Sequence, residues 1–210
     1  MINRADLKMK AKQMMSGNIG MLIVCFIIVG AILGVCNFVP IVGGIASICL
    51  TGPLSLGTAY IYLNLTRGFE PDVNVLFSGF QRFVDALVLT LLMGVFTFLW
   101  SLLFVVPGII KAISYSQAFY ILAENPGMSG KDALDASVAM MDGHKMDYFV
   151  LMLSFIPWML LSGITCGIAA LYVMPYMNAT LVNFYEAVKG PVVMNTNADF
   201  TDNTNDYYQV

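Results

Sequence analysis

Charge is what this chain has least of. Charged side chains make up 11% of its 210 residues, hydrophobic ones 59%, and histidine occurs once. With a mean hydropathy of +0.78, that balance excludes an ordinary soluble domain. The formal net charge is −3 and no basic face survives outside the short loops, which excludes nucleic acid as a partner. A single histidine, His144 beside Lys145, makes no metal site. No H-E-x-x-H, P-loop or G-x-G-x-x-G is present, so neither metal nor cofactor is expected. The four cysteines, Cys25, Cys36, Cys49 and Cys166, form no C-x-x-C pair and all fall in apolar segments, where cysteine serves as a small hydrophobe. A disulfide among Cys36, Cys49 and Cys166 has no spacing rule behind it.

What the chain does have is long apolar runs. A membrane helix needs about 20 such residues, and six of these segments with short loops use up nearly the whole length. The expected spans are Ile19–Val39, Ile41–Leu65, Ala86–Val106, a fourth from Pro107-Gly108 to Ala123, Tyr148–Ile168 and Leu171–Val188. They are too long and too uniformly apolar for barrel strands. The expected fold is therefore an all-α membrane protein of six transmembrane helices arranged as three hairpins. The first run exceeds a signal-peptide h-region and leads to another apolar segment, so it reads as an uncleaved span.

Orientation follows from the basic residues. Arg4, Lys8, Lys10, Lys12, Arg67, Arg82, Lys131, Lys145 and Lys189 all fall on one side. The turns around Pro40, Pro107 and Ala170 carry none. Both termini are thus expected in the cytoplasm, with the protein in the cell membrane. Residues 1–16 read as an amphipathic interfacial helix, residues 17–189 as the transmembrane domain, and residues 190–210 as a disordered polar tail. In the first of these, Arg4, Lys8 and Lys12 form a basic ridge for anionic lipid headgroups, beside an apolar edge of Leu7, Ala11, Met14 and Met15 that would face the bilayer. On the same side, Asp72 is expected to cap a short helix carrying Leu76 and Phe80. Ser129 with Asp132 makes a capping-box-like start for another, carrying Leu134, Val138 and Met141.

A unit of helix, outer turn and proline-started helix recurs, with Pro53, Pro107 and Pro175 in matching places and Gly79 paired with Gly143 further on. It sorts the helices. The odd ones are almost wholly apolar, whereas the even ones hold the polar groups, among them Tyr60, Lys111, Tyr115, Gln117, Tyr120, Tyr176, Asn178, Asn183 and Glu186. Such groups at membrane depth either join helices or line a cavity. Lys111 is the sharpest of them, because a lysine at the bilayer centre costs at least about 2.5–3.5 kcal/mol. It either anchors an anionic group, with Tyr115 and Gln117 beside it, or snorkels to the outer surface about 6 Å away. Trp100 and Trp158 fit helix packing or an interfacial belt, and Pro157 should kink the fifth span. Gly127-Met128-Ser129-Gly130 spells the G-x-S-G of intramembrane proteases, but in a loop and without a histidine on another span. No catalytic residue is expected.

The stretches RADLKMKAKQMMSGN, VPGIIKAISYSQAFYILAENPGMSGKDALDASVAMMDGHKMDYFVL and ITCGIAALYVMPYMNATLVNFY resemble a family of bacterial six-helix integral membrane proteins known only as a domain of unknown function. The central stretch is also similar to the membrane domain attached to some glycerophosphodiester phosphodiesterases. The catalytic barrel of those enzymes is missing, so no hydrolase activity carries over. The resemblance implies fold and membrane location, and it supplies no site residues. What remains is a non-catalytic component that scaffolds or modulates lipids or another membrane protein, or else a small transporter.

Overall fold

The computed structural model describes residues 4–36, 42–103, 105–165 and 167–189. The expected tail, the turn at Pro40 and Cys166 lie outside them. The elements are α1 (Arg4–Met15), α2 (Ile19–Cys36), α3 (Val42–Thr66), α4 (Val73–Ser78), a 3-10 turn (Gly79–Arg82), α5 (Phe83–Leu103), α6 (Val105–Tyr115), α7 (Ala118–Glu124), α8 (Gly130–Met140), α9 (Lys145–Leu153), α10 (Ile156–Ile164) and α11 (Ala170–Lys189). No strand occurs among the described residues. Among the described residues, four stretches are long and apolar enough to cross a membrane: Ile19–Cys36, Ala46–Thr66, Val73–Leu102 and Lys145–Ile164.

Both short loop helices start where the sequence places their caps. The Asp72 carboxylate accepts the Asn74 N–H at 3.0 Å, a bond that also holds its carboxyl below the usual range. The Ser129 hydroxyl accepts the Asp132 N–H at 3.2 Å and donates to the Asp132 carboxylate at 2.7 Å. Each cap satisfies donors that a helix start leaves unpaired.

The fourth expected span is two helices instead of one. α6 stops at Tyr115 and α7 starts at Ala118. Across the break, the buried Ser137 of α8 donates to the Ser114 carbonyl at 2.7 Å and accepts the Gln117 N–H at 3.2 Å. One hydroxyl thereby replaces the helical bonds lost there. Truncating it should leave both backbone groups unsatisfied, so Ser137→Ala is expected to cost about 1–3 kcal/mol in an unfolding titration. Moreover, Pro107 and Gly108 lie inside the first turn of α6 and not in the connection, because α6 already begins at Val105. A β-carbon on Gly108 would sit 2.3 Å from the Ser101 hydroxyl, so α5 and α6 touch there.

The fifth expected span is also divided, into α9 and α10. Pro157 falls in the first turn of α10, since it offers no N–H and its ring crowds the carbonyl four residues back. Ser154, at the break, has its carbonyl contacted by the Lys8 ammonium at 3.4 Å, which also stands 4.6 Å above the Phe155 ring. Lys8 therefore turns into the protein instead of standing on an outward basic ridge. Burial pushes its ammonium below the usual range.

The apolar edge of α1 also has protein partners. Leu7, Ala11 and Met15 are buried, and they pack on protein: Ala11 and Met15 in the main core, Leu7 with Met141, Tyr148, Leu151, Phe155 and Phe184. The apolar edge expected to face lipid is thus taken up by the fold. Lys12 remains exposed.

The main core gathers Leu54, Leu56, Ile61 and Leu63 of α3 with Leu76, Leu89, Leu122 and Tyr185. Backbones meet closely around it. A β-carbon on Gly57 would lie 1.9 Å from the Leu76 carbonyl oxygen, and one on Gly79 2.1 Å from that of Pro53. Gly143, its partner in the expected repeat, instead occupies a turn at φ +81° with open space around it, because it must only reverse the chain. The two glycines are not equivalent. Outward, by contrast, stand Val24 and Ile27 of α2, Leu91, Val95 and Phe98 of α5, and Leu160 and Ile164 of α10. Polar groups such as Gln117, Ser137 and Thr180 are fully buried, the reverse of what water favours.

Candidate functional site

Three helix ends carry one charge each, and the fold brings them together. α3 closes with a glycine cap: Gly68 takes φ +83°, its N–H reaches the Leu65 carbonyl at 3.2 Å and the Phe69 N–H the Asn64 carbonyl at 3.0 Å. This six-to-one, five-to-two pattern fixes the last turn, and with it Arg67. Glu124 ends α7 and Lys189 ends α11. Glu124 accepts from the Arg67 guanidinium at 2.7 Å, from the Tyr185 hydroxyl at 2.6 Å, and from the Lys189 ammonium. Its side chain is 7% exposed, against 37% for Arg67 and 27% for Lys189. A carboxylate so buried requires this compensation.

Arg82 secures the same corner from behind. Its guanidinium donates to the Leu122 carbonyl at 2.6 Å, to that of Asn125 at 3.0 Å and to that of Met128, and reaches Asp85 at 3.3 Å. The carbonyls that end α7 therefore have a donor fork in place of water. Neither Arg67 nor Arg82 is simply a loop charge, although the sequence offers them only as markers of orientation.

Next to the Glu124 cluster opens a cleft of about 710 Å³, lined by Lys10, Gln13, Ser16, Asn18, Thr66, Arg67, Asn183, Glu186 and Lys189 with Glu124 at its wall. A second cavity of about 340 Å³ lies among α2, α3, α7 and α11. Its walls carry Ser55, Thr58, Tyr62, Ser116, Tyr120 and Asn178 together with Cys25, Phe26 and Leu181. No group of three metal-ligating side chains occurs among the described residues.

The candidates read from the sequence fall in several places. Tyr120 and Asn178 line the second cavity, where Asn178 bonds the Tyr62 hydroxyl and Tyr120 stacks on Tyr185 at 5.5 Å. Asn183 and Glu186 line the first cleft. Tyr176 packs on Phe155 at 5.6 Å, and Tyr60 rests half-buried against the core. Lys111 is half-buried, with its ammonium 5.2 Å from the Trp100 ring. Tyr115 faces Phe96 and Gln117 turns toward Ser116. Lys111 and Tyr115 stand one turn apart on α6, against Trp100 and Phe96 one turn apart on α5, whereas Gln117 lies beyond the break after Tyr115. The Glu124 cluster escaped sequence reading. Its one signal was the recurrence itself, which places Arg67, Glu124 and Lys189 at the same end of the three even helices with mixed signs.

Fold and clefts define a helical protein with apolar, membrane-length helices and polar groups drawn inward. The chain belongs to the family described as Protein of unknown function (DUF975), whose model matches residues 1–114 and 102–191. No curated protein and no solved structure matches it. Similarity to the membrane domain of the phosphodiesterases is not shown by these matches.

Proposed function

We propose that this chain is a six-span integral membrane protein of the cell membrane, with both termini cytoplasmic, acting as a non-catalytic component that scaffolds or modulates a partner or lipids. α6 and α7 together would supply the fourth crossing and α11 the sixth. The observation that carries the non-catalytic reading is where the polar side chains of the even helices spend their hydrogen bonds. Thr51, Thr58, Ser114 and Thr180 each donate to the carbonyl four residues back. Asn183 bonds Ala179, and Glu124 ties three helix ends together. The first five groups are satisfied within their own helices and Glu124 joins three helix ends, so none of them is left as a row of free donors for a passing solute.

A transport reading draws on the cavity between α2, α3, α7 and α11, whose uncharged polar wall would suit a neutral or lipid-like solute. Proteoliposomes separate the two. The purified chain is expected to scramble fluorescent phosphatidylglycerol no faster than empty vesicles. Acceleration that disappears in Asn178→Leu would overturn the scaffold reading in favour of transport. The topology has its own check. Single cysteines introduced beside Arg82 and Lys145 should stay unlabelled by an impermeant maleimide in intact cells, and labelling from outside would refute it.

A further inference from the structure

We infer that the inner cleft binds a singly charged phosphate ester, the phosphodiester of an inner-leaflet phospholipid headgroup. Among the described residues, three cations, Lys10, Arg67 and Lys189, face two carboxylates, Glu124 and Glu186, across about 710 Å³. The formal sum is one positive charge, which matches one phosphodiester and would leave a dianion uncompensated. Glu124 acts as an internal counter-ion. It is nearly buried, whereas Arg67 and Lys189 keep a third and a quarter of their side chains open. Two like charges are therefore held side by side before any ligand arrives, so their ordering is completed on folding and not charged to binding.

The rest of the wall agrees with this occupant. A guanidinium presents a planar fork of donors that suits phosphate oxygens, and lysine adds a point charge. Met14, Leu65 and Phe69 line the same cleft, giving an apolar border against which the first carbons of an acyl chain can lie. The cleft also sits where α3, α7 and α11 end and α2 begins, the level of headgroups if these helices cross a bilayer. The lipid source rests on the membrane reading above, whereas the phosphate site does not.

The test uses the full chain in a non-ionic maltoside detergent, titrated separately with dihexanoyl phosphatidylglycerol, glycerol 3-phosphate and dihexanoyl glycerol, with binding followed by native mass spectrometry. The phosphatidylglycerol is expected to bind and to weaken about 10-fold or more in Lys10→Glu, a variant on an exposed position with no ion pair among the described residues. Lys189→Gln should weaken it as well. Glycerol 3-phosphate, a dianion at neutral pH, binding as tightly would overturn the charge match and assign the site to soluble phosphate esters instead of lipid. Binding of the diacylglycerol as tight as that of the phospholipid, or an affinity unmoved by Lys10→Glu in a variant that unfolds at the wild-type temperature, would overturn the proposal. Extraction of the chain from membranes by alkaline carbonate, with phosphate-ester binding intact, would instead refute the membrane reading alone.

Discussion

Glu124→Ala is expected to lower the stability of the folded chain by about 3 kcal/mol, one of the two largest effects of any single substitution discussed. Removing one partner of a buried ion pair costs about 3–5 kcal/mol, because the charges left behind keep their desolvation without their compensation. The lower end applies here. Arg67 and Lys189 are partly open to solvent and can recover some hydration, whereas the buried Tyr185 hydroxyl loses its acceptor outright. Glu124→Gln keeps the shape and one acceptor oxygen but turns a donor toward a cation, so a loss of about 2 kcal/mol is expected. Combining Glu124→Ala with Lys189→Ala should cost less than the sum of the two, by about 1 kcal/mol or more, since residues in one network do not add. Unfolding in a graded detergent mixture measures all three. A loss below 1 kcal/mol for Glu124→Ala would mean that the three helix ends are held by their apolar contacts alone.

The cluster also marks where sequence reading stops. The helices themselves were legible, because apolar runs such as Ile19–Cys36 admit no other element. So were the caps at Asp72 and Ser129, where the cap and the donor it satisfies are two or three residues apart. Pairings at long separation were not. Glu124 meets Arg67 across 57 residues and Lys189 across 65, and nothing local distinguishes them from solvated loop charges. The breaks behaved in two ways. The one before Pro157 could be expected from the missing N–H, although the Ser154 carbonyl there also meets Lys8 from a distant part of the chain. The break at Ser116–Gln117 contains neither proline nor glycine. It depends on Ser137 from another helix, so the sequence shows one continuous span there, with Gln117 on the same helix as Lys111 and Tyr115. α1 shows a related limit. Its period correctly identifies an apolar edge, but a period cannot say whether lipid or protein covers that edge.

Gly57→Ala should prove still more damaging than Glu124→Ala, although in an open helix the same change is favourable. Alanine exceeds glycine in helix propensity by about 1 kcal/mol, so the sign here depends wholly on space. A β-carbon at Gly57 would meet the Leu76 carbonyl oxygen at 1.9 Å and carbon at 2.7 Å, and one at Gly79 would meet the Pro53 oxygen at 2.1 Å and the Gly57 nitrogen at 2.6 Å. Every one of these neighbours is backbone, so no side chain can rotate away and α3 must separate from α4. Overpacking of this kind costs about 1–3 kcal/mol where side chains can adjust, and about 3 kcal/mol or more is expected at Gly57 and Gly79. At Gly52 the clash is milder, with the Ala86 oxygen at 2.6 Å and the Thr90 hydroxyl at 2.8 Å, and a smaller loss should follow. Gly94 and Gly163 have nothing within 4 Å, so alanine there should be neutral or stabilising. The expected order of unfolding midpoints is therefore Gly94→Ala above wild type, then Gly52→Ala, then Gly79→Ala and Gly57→Ala together at the bottom. Were Gly57→Ala to unfold with Gly94→Ala, α3 and α4 could not cross at the distance described, and the corner that carries Arg82 and the Glu124 cluster would have to be built differently.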